Sequence, residues 1–213
     1  SKGQVLSGEF RNGNIHNASG VYVYANGSVY EGTWVEGECN KGTLTSASGH
    51  SVSGEFREGS IYNGAGSVLH RDGNVFTGTY VEGKWHGDGK LTFPDGNTMS
   101  GEFKHGLLYN GSGTQTLPSG HVYTGTWKEG KWAGEGKLTC TDGGYLEGEF
   151  AQGKLLNGKG SMKLLNNSVY TGEFKNGMWH GEGRLVSAKG KVLEGVFKEG
   201  KLHKSALNKK AVA

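Results

Sequence analysis

The sequence predicts an all-β protein built from about nine tandem β-hairpins. A frame of the form apolar–x–Gly–x–aromatic–x–x–Gly recurs along the 213 residues, and its first glycine returns every 22 to 24 positions. The 41 glycines alone would suit a flexible segment, but aromatic residues make up 10% of the chain, which disordered linkers rarely carry. A nearly fixed period from end to end leaves no room for a second domain.

The first half of each repeat predicts a strand with one buried face. The frame glycines are Gly8, Gly32, Gly54, Gly78, Gly101, Gly125, Gly148, Gly172 and Gly195. The aromatics two residues later are Phe10, Trp34, Phe56, Tyr80, Phe103, Trp127, Phe150, Phe174 and Phe197. Side chains alternate between the two faces of a strand, so the glycine, the aromatic and the apolar residue before them share one face.

Two turns complete each repeat. An x-Gly pair such as Glu129-Gly130 follows the first strand, because glycine readily supplies the positive φ of a tight hairpin turn. A second strand follows, as from Gly89 to Phe93, and pairs such as Asn26-Gly27 then turn the chain into the next repeat. Each repeat is therefore predicted to be one hairpin with strands of about five residues.

The mixture of glycines and bulky rings predicts a particular packing. A lone hairpin is marginally stable in water, so each must bury its rings against its neighbours. We expect the rings of one hairpin to lie flat on the glycine backbone of the next, since a backbone without Cβ permits close approach. Ordering a glycine costs about 1 kcal/mol relative to alanine, whereas burying an aromatic ring returns about 2–3 kcal/mol.

The repeats alternate between two classes, here called short and long. Long-class repeats have an extra residue before the second strand, as in Asn157 to Gly160, and an aliphatic residue such as Leu155 after the turn. Short-class repeats have Tyr or Phe before the frame glycine and Trp85, Trp132 or Trp179 after the turn, with Cys39 as the exception. The sequence thus predicts a two-repeat superperiod of about 47 residues, in which successive hairpins differ in orientation or bulging.

The stretch from Tyr170 to Gly183, YTGEFKNGMWHGEG, resembles a MORN repeat, whose usual form is Y-x-G-x-W/F-x-x-G-x-x-x-G-x-G. The resemblance runs from Leu6 to about His203. Long-class repeats depart from the form by having Leu, Val or Met in place of the leading tyrosine. The resemblance implies an elongated single-layer array of about nine hairpins over residues 5–203, followed by a basic C-terminal tail at 204–213. Repeats should start near residues 5, 29, 51, 75, 98, 122, 145, 169 and 192.

The same resemblance implies a function. Proteins similar to this act as scaffolds that link cytoskeletal structures to membranes, and some form homodimers. We therefore expect a non-catalytic, rod-like spacer that binds partner proteins, cytoplasmic and at the cytoskeleton or the membrane periphery. The alternatives are a module that binds phosphoinositides or other acidic phospholipids, and the targeting arm of a larger enzyme.

The sequence offers no sign of catalysis. It contains no nucleophile elbow, no phosphate-binding loop and no cluster of metal-ligating residues, which predicts neither an active site nor a cofactor nor a metal. His86 and His180 occupy equivalent repeat positions, which suits surface residues better than a ligand pair. A net charge of +3 without a uniformly basic face argues against nucleic acid.

Two sets of residues are candidates for binding. The aromatic columns are favoured as core, but part of the stripe is expected to stay exposed and to bind a partner. This predicted partner-binding stripe is Tyr30, Trp34, Phe76, Tyr80, Trp85, Tyr123, Trp127, Trp132, Tyr170, Phe174 and Trp179. The predicted lipid-headgroup lysines are Lys84, Lys131, Lys154, Lys201, Lys204, Lys209 and Lys210. Glutamates repeated after the frame glycine would oppose an anionic membrane, so the lysines are more simply read as solvated turns and tail.

Overall fold

The computed structural model describes residues 4–205, in which every regular element is a β-strand. The strands are β1 (Val5–Arg11), β2 (Asn14–Val23), β3 (Val29–Val35), β4 (Glu38–Thr45), β5 (Ser51–Arg57), β6 (Ser60–Leu69), β7 (Val75–Val81), β8 (Lys84–Thr92), β9 (Thr98–Lys104), β10 (Leu107–Thr116), β11 (Val122–Lys128), β12 (Lys131–Thr139), β13 (Tyr145–Ala151), β14 (Lys154–Lys163), β15 (Val169–Lys175), β16 (Met178–Val186), β17 (Val192–Lys198) and β18 (Lys201–Ser205). No helix that could cross a membrane occurs in this range.

The chain divides into two compact units, one up to Tyr109 and the other from Asn110 onward. In the first unit each strand from β1 to β8 pairs antiparallel with the strand that follows it. In the second unit the same holds from β10 to β17. The predicted all-β fold of tandem hairpins is confirmed, although the first strands are seven residues long and not about five.

Each hairpin closes through a two-residue turn in which both residues have positive φ. Glu129 has φ 53° and Gly130 has φ 75°, which is the pattern of a type I′ turn. The first turn positions are Asn12, Glu36, Glu58, Glu82, His105, Glu129, Gln152, Asn176 and Glu199, with φ between 50° and 53°. This handedness matches the twist of the flanking strands, so the fold accepts glutamate in a region where it is uncommon.

The two classes of repeat bulge differently. In the long-class hairpin of β13 and β14, the register shifts after Glu149 and leaves Leu156 unpaired. In the short-class hairpin of β11 and β12, the shift follows Gly125 and leaves Gly134 and Glu135 unpaired. Gly134 has φ 64°, a left-handed conformation that glycine adopts without penalty. Successive hairpins therefore differ in bulging, as the two-repeat superperiod predicts.

Bulky rings lie on glycines of their own hairpin. A Cβ built on Gly125 or on Gly136 would come within 2.8 Å of Cζ of Tyr123, which belongs to the same hairpin. Phe76 lies in the same way over Gly78 and Gly89. The expectation that each ring lies on the backbone of the next hairpin is therefore wrong. The side chain runs along its own strand, over the glycine two residues on and the glycine opposite it.

The next hairpin contributes a ring edge. Phe150 of β13 packs edge-on against Tyr123 of β11, with ring centroids 5.2 Å apart. The rings form four clusters at the two-repeat spacing, each made by a short-class hairpin and the long-class strand after it. They are the Tyr30 cluster (Tyr30, Trp34, Phe56), the Phe76 cluster (Phe76, Tyr80, Trp85, Phe103), the Tyr123 cluster (Tyr123, Trp127, Trp132, Phe150) and the Tyr170 cluster (Tyr170, Phe174, Trp179, Phe197). These clusters form most of the core.

Candidate functional site

Three tryptophans stand at the surface of the ring clusters. Trp132 stacks on Tyr123 with ring centroids 4.2 Å apart and an interplanar angle of 8°. Trp179 stacks on Tyr170 at 4.5 Å, and Trp85 stacks on Phe76 at 4.9 Å. All three tryptophans are half-buried, so each indole keeps part of its surface in contact with solvent. Each is held in a defined orientation by the ring beneath it.

The other eight residues of the predicted partner-binding stripe are buried. They are Tyr30, Trp34, Phe76, Tyr80, Tyr123, Trp127, Tyr170 and Phe174, with 0–8% of their surface exposed. A partner cannot reach them in the folded protein, so as contact residues they are corrected to core. The physical reason is that the rings pack on one another as well as on glycine, which covers both faces of most of them.

The buried tyrosines stay neutral because burial disfavours the charged phenolate, and their hydroxyl groups have acceptors inside the cluster. Tyr123 donates to the Thr126 carbonyl at 3.3 Å, and Tyr170 donates to the Glu173 carbonyl at 3.0 Å. Burial raises the pKa of Tyr123 to about 12. Burial also raises the pKa of Tyr170 to about 12. The ring face is thus uncharged at neutral pH, which suits contact with apolar or aromatic groups.

In four long-class hairpins, an asparagine that the sequence analysis missed joins the hairpin to the short-class hairpin after it. Asn157 in β14 donates to Oε2 of Glu149 at 2.7 Å and accepts the turn amide of Asn176 at 3.1 Å. Asn17 and Asn63 cap the turns at Glu36 and Glu82 in the same way, each at 3.0 Å. The signal in the sequence was an asparagine at the same position of four long-class repeats, Asn17, Asn63, Asn110 and Asn157.

The predicted lipid-headgroup lysines lie at strand starts. Lys84, Lys131, Lys154 and Lys201 each open the strand after a type I′ turn and are exposed. Lys131 donates to Oε1 of Gln152 at 2.6 Å. Lys204, assigned to the predicted tail, lies in β18, whereas Lys209 and Lys210 lie outside the described residues.

The turn edge of the second unit is basic. The residues on either side of the type I′ turns there include six lysines, Lys128, Lys131, Lys154, Lys175, Lys198 and Lys201. The acidic residues at these turns are Glu129 and Glu199, so the local net charge is 6 − 2 = +4. The corresponding edge of the first unit carries as many acidic as basic residues, namely Arg11, Arg57, Lys84 and Lys104 against Glu36, Glu38, Glu58 and Glu82.

The histidines of residues 4–205 belong to no cluster of potential metal ligands. In that range, no three His, Cys, Asp or Glu side chains come together as metal ligands would. His180 lies opposite Glu173 across the β15–β16 hairpin, and His86 lies opposite Thr79 at the equivalent place in β7–β8. Both histidines occupy one repeated position.

Comparison with known proteins gives one family match. The sequence profile of the MORN repeat matches residues 7–29, 30–51, 76–98, 100–122, 123–145 and 170–192, which together are more than half of the chain. No curated protein sequence matches the chain.

Three solved structures show weak likenesses to the chain. A catalytically inactive virginiamycin B lyase from Staphylococcus aureus, solved with quinupristin, aligns at 14% identity over 91% of this chain and 60% of that protein, with a TM-score of 0.14. The selenomethionine form of the same lyase aligns at 13% identity over 91% and 60%, with a TM-score of 0.15. A streptogramin B lyase aligns at 12% identity over 84% and 54%, also with a TM-score of 0.15. This chain thus spans about 54–60% of the length of those proteins.

Proposed function

Because this chain belongs to the MORN-repeat family, we propose that it is a non-catalytic scaffold that holds a partner protein on the ring face of its hairpins. Repeats of this family are generally modules for interaction with proteins or membranes. The proposal places the protein in the cytoplasm, at the cytoskeleton or the membrane periphery. The activity of any larger protein to which this array belongs, including an enzyme that it targets, is a separate proposal.

The observation that carries the proposal is the set of half-buried tryptophans stacked on buried rings. Tryptophan is enriched among the residues that dominate binding energy at protein interfaces. A side chain that is already fixed loses little conformational entropy when a partner binds. Trp132 and Trp179 provide two such anchors in the second unit, at equivalent positions of two successive ring clusters.

Affinity capture from an extract of the source organism tests this proposal. The baits are the wild-type chain, the Trp132→Ala/Trp179→Ala double variant, and Leu165→Ala as the matched control. Leu165 is a fully exposed apolar residue in the loop between β14 and β15, outside the ring clusters. The proposal expects at least one protein to be retained by the wild type and the control, and to be reduced about tenfold or more on the double variant, provided that all baits remain folded by circular dichroism. Equal retention on the double variant would remove the ring face as the binding surface.

The partner in this proposal can also be a second copy of the chain. Multi-angle light scattering of the wild type and the double variant over a range of concentrations tests this self-association. A strict monomer at high concentration would leave only a different protein as the partner.

A membrane-binding function is favoured by one separate observation, the basic turn edge of the second unit. Its local charge of +4 could attract phosphoinositides or other acidic phospholipids. Sedimentation with vesicles that contain acidic lipid, at low and physiological salt, tests this alternative. Binding that is lost in Lys131→Gln/Lys154→Gln/Lys201→Gln but kept in the tryptophan double variant would favour it over the protein scaffold. No sedimentation at either salt would reject it.

A further inference from the structure

One groove on the ring face of the first unit departs from the repeat pattern. It has a volume of about 510 Å³, and Phe10, Ile15, Tyr24, Trp34 and Cys39 contribute to its walls. A second cavity of about 260 Å³ shares Tyr24 and Cys39 with it and extends to Tyr30 and Phe56. We call the two together the Cys39 groove. Its size is in the range of about 300–1,000 Å³ that is usual for ligand pockets.

Cys39 stands where the other ring clusters have an indole. It pairs with Trp34 across the β3–β4 hairpin, just as Trp132 pairs with Trp127 across β11–β12. In the Phe76, Tyr123 and Tyr170 clusters the indole at this position stacks on a buried ring at 4.2–4.9 Å. A thiol is much smaller than an indole, and here its Sγ lies 3.3 Å from the Tyr24 hydroxyl. The Tyr24 side chain takes part of the space beside Cys39, and the smaller cavity between Tyr24, Tyr30 and Phe56 is the part that stays open.

Phe10 of β1 contributes to the far wall of the groove. The four other long-class phenylalanines, Phe56, Phe103, Phe150 and Phe197, are 1–3% exposed, and each meets the edge or face of a ring at 5.0–5.3 Å. Phe10 is 48% exposed. No aromatic ring within residues 4–205 packs on it. The ring that covers each of those phenylalanines comes from the short-class hairpin before it, and within residues 4–205 no hairpin precedes β1, so the exposure of Phe10 follows from its place on the first described strand.

The charge of the groove limits what it can accept. Glu38 is the one lining residue with a formal charge at neutral pH, and the other polar groups at the walls are amides, hydroxyls and the thiol. An anionic ligand would meet a carboxylate and no cation. A neutral or cationic aromatic group is therefore favoured over an anionic one.

We propose that the Cys39 groove binds an aromatic side chain of a partner polypeptide, foremost a tryptophan. Its ring takes the space beside Cys39 that an indole fills in the other three clusters, between Tyr30 and Phe56. The proposal rests on the proposed function as a protein scaffold and adds to it the site and the residue type that the site recognises. The repeat itself is the template, because the protein binds its own indoles at this position elsewhere.

Titration with N-acetyl-L-tryptophanamide tests the site without knowledge of the partner. In ¹H–¹⁵N spectra of the full chain we expect saturable shifts at the amides of Gly13, Gly37 and Gly59, which line the groove. N-acetyl-L-leucinamide, the aliphatic control, should shift them at least tenfold more weakly. Absence of saturable shifts with the tryptophan probe, or equal shifts with both probes, would overturn the proposal.

Two substitutions at Cys39 test whether probe binding depends on the open volume of the groove or on the thiol group. Cys39→Ser keeps the groove open and should bind the probe as the wild type does. Cys39→Trp fills the groove with the side chain that the other clusters use, and should weaken binding at least tenfold. Unchanged binding by Cys39→Trp would overturn the proposal, because the probe would then lie elsewhere. If Cys39→Trp does not fold, Cys39→Leu, which fills the same space with a smaller side chain, serves instead, with the same two outcomes.

Failure of the groove proposal can be distinguished from failure of the scaffold function. If a partner is captured through Trp132 and Trp179 but the probe does not bind, the groove proposal fails and the scaffold stands. If the probe binds and no partner is captured, the aromatic site exists and the scaffold function fails.

Discussion

At the scale of single residues, the fold depends on glycines whose missing Cβ makes room for a ring. Gly125 and Gly136 face each other across the β11–β12 hairpin, and Tyr123 covers both. Neither has the left-handed φ of the turn glycines, so what these positions require is space and not backbone freedom.

Gly136→Ala should therefore destabilise the protein by about 1–3 kcal/mol, the usual cost of overpacking a filled core. The new Cβ would meet the Tyr123 ring, which is fully buried and cannot move aside without disturbing its neighbours. Urea unfolding measures the loss. Gly130→Asn is the control, because Gly130 has φ 75° with nothing within 4 Å of a Cβ, and asparagine tolerates that conformation. Equal destabilisation by both variants would contradict this explanation.

The buried phenols predict a loss of stability in alkali. Burial raises the pKa of Tyr123 in the folded state to about 12 from an unfolded value of about 10. A pKa that is higher in the folded state contributes stability that is fully present below pH 10 and is lost as the pH rises through 12. The free energy of unfolding should thus fall across this window, and Tyr123→Phe should lose less of it than the wild type. Leu165→Ala, at an exposed residue that carries no titratable group, should follow the wild type. Identical pH profiles for all three would refute the role of Tyr123.

At the scale of the hairpin, neighbours are joined by two different kinds of contact. A short-class hairpin meets the following long-class strand through ring edges, as Tyr123 meets Phe150. A long-class hairpin meets the following short-class turn through a capping asparagine, as Asn157 meets Asn176. The two-repeat superperiod therefore has a physical cause, because ring-edge contacts and asparagine caps alternate from one hairpin to the next.

Asn157→Ala should cost about 1 kcal/mol, because it leaves the Asn176 amide and the Glu149 carboxylate without this partner. Its specific signature should be faster hydrogen exchange of the Asn176 amide. The Glu129 amide, which Asn110 caps at 3.0 Å, serves as the control within the same variant and should exchange at its wild-type rate. Equal acceleration at both amides would indicate general loosening and not loss of a cap.

The hairpins and their bulges could be predicted from the sequence, whereas the position of the buried ring and the asparagine cap could not. The frame glycines and the alternating insertion predicted the hairpins and their two kinds of bulge, because period and turn chemistry are local. The predicted position of the Tyr123 ring was wrong. A sequence indicates on which face of the strand a side chain lies, but it does not indicate how far the side chain extends along its own strand. The cap by Asn157 was missed because its partner lies 19 residues away in another repeat.

At the scale of the whole molecule, the ring clusters are not equal in strength. The Tyr30 cluster in the first unit has Cys39 where the Phe76, Tyr123 and Tyr170 clusters have a stacked indole. An aromatic pair is worth about 0.5–1.5 kcal/mol beyond the area it buries. Sequence alone identified the exception at Cys39 but did not predict the groove that it leaves.

Amides in β3 and β4 should consequently exchange about 2- to 12-fold faster than those at matching positions in β11 and β12, as the value of a stacked pair implies. Strands β7 and β8 provide the internal control, because they belong to the same unit as β3 and β4 but hold Trp85 on Phe76. They should resemble β11 and β12. If β3, β4, β7 and β8 all exchange alike, the missing indole has no bearing on local stability.

The packing of the whole array depends on one contact, in which a buried ring covers the paired glycines of its own hairpin. The most direct measurement is the ¹H chemical shift of the Hα atoms of Gly125 and Gly136. Ring currents from Tyr123 should move both upfield of Gly130, which lies in the turn of the same hairpin with nothing near it, and Tyr123→Leu should abolish the difference. Hα shifts at Gly125 and Gly136 that match Gly130, or that do not change in Tyr123→Leu, would contradict this packing.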